Sequence, residues 1–305
     1  MTGCAARGDR GPAAAPPARA RLVIPADADL GAAAAQVAAR AGRAAIVYLG
    51  ELHDNPQHHA IQARVLAALL AAGVRPAVAF EMLPETAQGR VETLVRGELP
   101  GPEVGRRLAW RARGWPDFAM YWPLFELART HALPVIATDL DPGITRRITR
   151  DGLAAAGDGA ARLRSALPDD PARDGALARR FRAAHCNAIS EDAALRMVVS
   201  WYARNVVIAR RILDARAQAS RVVVIIGRGH QAAGGVPDQV TALRPGTPQL
   251  IVALAEERED GGLEGPDLAR ADVVWLTPAR RRPDPCQDVR DRIGRARPGA
   301  PGFAV

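Results

Sequence analysis

Six short stretches of the chain are continuously apolar rather than alternating: Ala44–Gly50, Ala77–Glu81, Pro134–Asp139, Val222–Gly227, Leu250–Ala255 and Val273–Leu276. Unbroken apolar runs of this length predict strands covered on both faces. Helical patterns lie between them. Asn55 followed by Pro56 is an N-cap and first-turn signal, and Ile61, Val65, Leu66, Leu69 and Leu70 then form one stripe that closes at Gly73. A second helix is predicted over Tyr121–His131. A long one runs from near Ser190 to about Ala217, with Leu195, Val198, Val199, Tyr202, Val206 and Ala209 on roughly one side. Strand–helix alternation predicts an α/β fold, a mostly parallel sheet with helices on both faces. Residues 151–189 lack strand signals and read as a helical insertion or cap, which with the long helix makes 151–219 a smaller helical part.

The 305 residues allow one large α/β domain or two small ones. At 48% hydrophobic and 24% charged the chain can build a large core, and no apolar run approaches the roughly 18 residues that span a bilayer. The domain is expected over 21–279. Residues 1–20 are small, Gly, Pro and Arg and read as a flexible tether, and 280–305 as an Arg/Pro-rich disordered tail.

Charge narrows the chemistry. The net +8 is carried entirely by arginine, because the sequence has no lysine. Walker A loops, kinase-type ATP sites and Schiff-base enzymes are thereby excluded. Four serines and no G-x-S-x-G argue against an α/β-hydrolase nucleophile. Aromatics are only 4%, so the arginines are not interleaved with stacking rings and no nucleic-acid partner is expected. Cys4, Cys186 and Cys286 are far apart with no C-x-x-C, which predicts neither a thiolate zinc site nor a disulfide framework, and leaves Cys186 as an inert buried thiol. Met1-Thr2-Gly3-Cys4 resembles the end of a bacterial lipoprotein signal, without the preceding apolar region. On that reading Cys4 is lipidated and the protein is extracytoplasmic, anchored to a bacterial membrane.

The candidate chemistry follows the strands. The first ends in Gly50-Glu51-Leu52-His53, the second in Phe80-Glu81, the third in Thr138-Asp139 and the fourth in Gly227-Arg228-Gly229-His230. In open parallel sheets the ligand crevice lies at these carboxyl ends. Glu51, His53, Glu81, Asp139 and His230 are therefore expected to converge, joined by His58, His59 and Gln62 from the helix after the first strand. Gly50 and Gly227 permit sharp turns, and Gly229 leaves space beside His230. Two roles fit. His53, His230, Glu51 and Glu81 are a donor set for a divalent metal that activates water. Alternatively, Glu51 and Glu81 divide acid and base roles with His230.

Gly50-Glu-Leu-His-Asp-Asn-Pro-x-His-His-x-x-Gln62 resembles the ChaN-like haem-binding uptake lipoproteins of the wider Tiki/TraB/erythromycin-esterase group. Phe80-Glu81-Met82, Trp115…Tyr121…Pro123-Leu124 and Gly227-x-Gly229-His230 with Gly235-Val236-Pro237 extend the resemblance over Ile46–Ala255. The resemblance implies a parallel-sheet α/β domain that binds haem as a homodimer in iron acquisition. In the wider group it implies metal-dependent or esterase-like hydrolysis, which remains the alternative. Where the family pattern runs A-Q-x-x-x-D in the late helix, this chain has Ser200-Trp201-Tyr202-Ala203-Arg204-Asn205, losing one acid and gaining an aromatic pair. Haem iron is commonly held by Tyr or His. Of the three tyrosines, Tyr48 reads as core, while Tyr121 and Tyr202, with Trp201, are the haem-contacting candidates.

Overall fold

The computed structural model describes residues 21–258, 266–287 and 289. All six expected strands form, within one to three residues of their predicted bounds. They are β2 (Ile46–Glu51), β3 (Ala77–Pro84), β4 (Val135–Asp139), β5 (Val222–Gly227), β6 (Gln249–Glu256) and β7 (Val273–Thr277). A seventh, β1 (Leu22–Ile24), pairs with β7 at the edge; three residues are too short to carry a periodic signal. The sheet is parallel throughout, in the order β1-β7-β6-β2-β5-β3-β4.

Ten helices accompany it among the described residues: α1 (Leu30–Arg40), α2 (Pro56–Ala71), α3 (Gln88–Arg96), α4 (Gly101–Arg107), α5 (Trp122–Thr130), α6 (Pro142–Asp151), α7 (Ala160–Leu163), α8 (Pro171–Ala184), α9 (Glu191–Ala215) and α10 (Val236–Leu243). The Asn55 side chain caps α2 by accepting from Gln57 N, and Ser190 caps α9 by accepting from Ala193 N. The strands alternate between two cores. Val47, Leu49, Val78 and Phe80 pack with α1, α2 and α5 on one face, and Ile46, Tyr48, Ala77 and Ala79 with α9 and α10 on the other. Tyr48 is core, as its position predicts, with its hydroxyl donating to Gln249. Residues 151–189 are helical and pack through α8 on α9, where Leu177, Ala178, Trp201 and Tyr202 form a satellite cluster.

Two expectations need correction. Cys186 is no free thiol: it is bonded to Cys286, 100 residues later. Spacing alone could not reveal a single long-range bridge. Of the expected tail, 280–287 carries defined contacts, and residues 288 and 290–305 lie outside the described residues. The Arg282 guanidinium reaches the Asp54 carboxylate at 2.9 Å and Glu256 at 2.7 Å, and Arg280 donates to the Asp54 carbonyl. The segment after β7 thus straps the turn that follows β2 and ends on the cap. Cys4 and the tether lie outside the described residues.

A bridge closing so long a loop typically stabilises by about 2–4 kcal/mol. Cys286→Ser is expected to lower the melting temperature by several degrees, measured by circular dichroism. Dithiothreitol should lower the parent protein to the same value and leave the variant unchanged.

Candidate functional site

The carboxyl ends of β2, β3, β4 and β5 lie side by side, and the side chains expected there meet. Glu51 and Glu81 are each only 1% exposed. One Glu51 oxygen accepts from His53 Nδ1 at 2.8 Å and from the Tyr121 hydroxyl at 2.6 Å. The other accepts from Gln62 at 2.6 Å and faces His59 Nδ1 at 3.3 Å. Burial alone would raise the Glu51 pKa, but hydrogen bonds and positive charge from His53 and His59 hold it well below the usual carboxylate range.

Glu81 sits where β3 loses register with β4, between Phe80 and Pro84, an irregularity that re-aims a side chain at a strand end. Its Oε2 accepts from Gly227 N at 2.6 Å, while Oε1 takes Arg204 Nη2 at 2.9 Å and faces His230 Nε2 at 3.1 Å. Its burial is likewise outweighed, by His230, His53 and Arg204, and its pKa falls well below the ordinary value.

His53 joins the two acids. Its Nδ1 is on Glu51 and its Nε2 is 4.0 Å from Glu81, and its side chain retains 33% exposure. Burial disfavours its charge, but the hydrogen bond to Glu51 and the field of both acids raise its pKa to about 9. It is an imidazolium at neutral pH. Trp115 meets it edge-on at 5.0 Å. His230 faces Glu81 with one nitrogen and Asn205 Oδ1 with the other, at 2.5 Å.

Arg204, from α9, is the residue that sequence reasoning passed over. It forks onto Asp139 with two contacts of 2.8 Å and reaches Glu81. The signal was a charge within the buried stretch Ser200–Asn205, adjoining the position where an acid was expected. Asn205 occupies that position and supports His230 through its amide oxygen.

Two placements differ from expectation. His58 is turned out of the crevice: its Nδ1 accepts from Leu52 N and its Nε2 lies 3.1 Å from Thr277, and burial drives its pKa down to about 3. Neutral, it clips the loop after β2 to the end of β7. Gly229 makes no room for His230, since a Cβ there would meet only Arg180, at 4.0 Å. At Gly227 the need is real: a Cβ would come within 2.7 Å of His53 Nε2. Gly50 is equally constrained, by Gln231, whose side chain would lie 2.3 Å from a Cβ.

The metal and haem candidates fare less well. Among the described residues no group of three or more His, Cys, Asp or Glu is disposed to hold a metal ion. Of the expected set His53, His230, Glu51 and Glu81, the two acids are satisfied by imidazole, guanidinium, amide and hydroxyl donors, and Arg204 supplies a cation. Tyr121 is fully buried and its hydroxyl serves Glu51; burial and that acid push its pKa far up. Tyr202 is 8% exposed, accepts from Arg173 and donates to Asp174, and burial raises its pKa too. Trp201 is 7% exposed and stacks 6.1 Å from His230. None of the three offers a surface to a porphyrin. Outside the crevice two imidazoles remain, His131 at the end of α5 and the exposed His185, whose Nδ1 lies 2.8 Å from the Phe181 carbonyl.

An apolar cavity of about 520 Å³ lies apart from the strand ends, between α4 and the start of α5. Trp110, Phe118 and Trp122 wall it, and Arg106 and Arg111 stand at its edge. Gly101 and Gly105 let Trp122 and Phe118 approach the α4 backbone, where a Cβ would lie 2.7 Å from either ring.

Comparison with known families matches residues 37–240 to the family described as haem-binding uptake, Tiki superfamily, ChaN. The chain belongs to that family. Among solved structures, "Cofacial heme binding to ChaN of Campylobacter jejuni" is 16% identical, with a TM-score of 0.57 over 72% of this chain and 85% of that one. The structure of the type III effector HopBA1 is 14% identical, with a TM-score of 0.48 over 83% and 96%. No curated protein matches the sequence.

The charges fix a stability profile. His53 titrates higher folded than its ordinary 6.5, so its contribution is complete below pH 6.5 and is lost as pH rises through about 9. Glu51 and Glu81 titrate lower, so theirs is present above the carboxylate range and lost on acidification. His58, neutral down to about 3, adds to the acid loss below 6.5. Urea midpoints are expected to peak near neutrality and fall on both sides, and His53→Gln should flatten the alkaline limb.

Proposed function

We propose that this protein binds haem non-covalently in the aromatic cavity between α4 and α5. The observation that carries the reading is the cavity itself, which lies inside the segment matched to the haem-binding family. Haem needs apolar walls for its faces and cationic partners for its two propionates. Trp110, Phe118 and Trp122 provide the first and Arg111 the second, with Arg106 beside it paired to Glu103. The structure of the Campylobacter ChaN is described as cofacial, and two copies of this cavity facing one another would set two haems in that way. Export and anchoring through Cys4 complete the proposal as a role in haem or iron acquisition. The Cys186–Cys286 bond supports an oxidising compartment.

A second reading has its own observation. His53 is a protonated imidazole with an open edge, flanked by two ionised acids, and is suited to donate a proton to a leaving group. Glu81 and His230 beside it complete an acid–base site for hydrolysis.

Haemin titration separates the two. A saturable Soret shift is expected at one haem per chain, with Trp122→Ala and Arg111→Gln each raising Kd about tenfold. Tyr121→Phe and Tyr202→Phe should leave the spectrum unchanged. Loss of the shift in either tyrosine variant would move the site to that residue. Hydrolysis of p-nitrophenyl acetate that disappears in Glu81→Gln, with haemin binding intact, would establish the second reading.

A further inference from the structure

The strand-end crevice opens into a pocket of about 270 Å³ bounded by Met82, Arg113, Trp115, Asp139, Arg146 and Arg204. Three of these are guanidinium groups and one is a carboxylate. Arg204 already holds that carboxylate in a bidentate pair, so Arg113 and Arg146 are the surplus charge. Neither makes an ion pair among the described residues. Arg113 donates Nη1 to the Met82 carbonyl at 2.6 Å, but its buried Nε and Nη2 have no hydrogen-bond partner. Buried donors are nearly always satisfied, and an unsatisfied cationic one is costly. Its pKa is lowered, by burial first, which marks an uncompensated positive charge. Arg146, exposed in the second turn of α6, faces the same space. Trp115 lines the same pocket, with its ring 5.0 Å from the His53 imidazole.

We propose that this pocket binds a small organic oxyanion, with the carboxylate or phosphate held between Arg113 and Arg146 and the body of the molecule against Trp115. Planar guanidinium groups suit both anions, because each presents paired N–H donors to paired oxygens. The ligand so held is beside Trp115, whose ring meets His53, and beside Arg204, which pairs with Glu81. The inference deepens the crevice reading by naming the class of molecule admitted there. It is separate from haem retention, since Arg106 and Arg111 belong to the other cavity. Binding is measured without turnover, so its failure is distinct from an absence of hydrolysis.

The test is isothermal titration calorimetry on the full chain at pH 7 and low salt. The probes are benzoate and inorganic phosphate, with benzylamine as a cation of similar shape. Saturable one-site binding of at least one anion is expected, and none of benzylamine. Tighter benzoate identifies a carboxylate with a flat body, and tighter phosphate identifies a phosphoryl group. Arg146→Gln, at an exposed helix position, should weaken binding about tenfold without loss of fold. Arg113→Gln should weaken it at least as much, and Arg96→Gln, on an outlying surface, should not change it. No saturable heat with either anion, or affinity unchanged in Arg146→Gln, would overturn the proposal.

Discussion

Two carboxylates held ionised inside the protein set the terms for the rest of the structure. Removing a charged carboxyl from water costs several kcal/mol unless donors replace the lost hydration. Glu51 and Glu81 are both buried, and their donors come from every side. The first turns of α2 bring His59 and Gln62, the turn before α5 brings Tyr121, α9 brings Arg204, and the end of β5 brings Gly227 N and His230. His53 spans the gap between the two acids. The strand order places β5 between β2 and β3, so this convergence is a property of the sheet and not of one flexible loop. Removing one donor leaves its acid underpaired, which makes the group a single electrostatic unit.

Much of this was legible in the sequence. Continuous apolar runs mark strands buried on both faces, and the ionisable residues at four of their ends mark the crevice. Gly50 and Gly227 mark turns at the strand ends; the structure adds that Gln231 and His53 occupy the space a Cβ would fill. What stayed hidden depends on the third dimension. Tyr121 could be read as a ligand because no pattern shows that its hydroxyl points inward at Glu51. Arg204 looked like one more arginine on a helix. His58 and His59 are adjacent in sequence, yet one serves the crevice and the other clips β7, a difference set by helix phase. The Cys186–Cys286 pair has no spacing signature, and its two ends meet only because the strap from β7 runs past Asp54 to the cap.

Two cavities of the described residues differ in chemistry. One is an aromatic slot with arginines at its edge, built on glycines in α4, and it suits a flat apolar ligand. The other is small and cationic, with Asp139 and Arg204 in its wall. Segment 110–115 separates them: Trp110 walls the first, Arg113 and Trp115 the second, and Arg113 rests 5.8 Å from the Trp110 ring centre. On the proposal that the aromatic slot takes haem, the crevice is a separate site, and each set of residues has a distinct physical task.

The central claim is that His53 is an imidazolium held between two ionised acids. The direct measurement is a nitrogen-detected NMR titration of the histidine side chains on the intact protein. The account predicts that His53 stays doubly protonated at pH 7 and titrates near 9, while His58 remains neutral across the same range. A His53 ring that loses its proton near the ordinary 6.5 would show that the acids do not act on it as a unit, and would contradict the account.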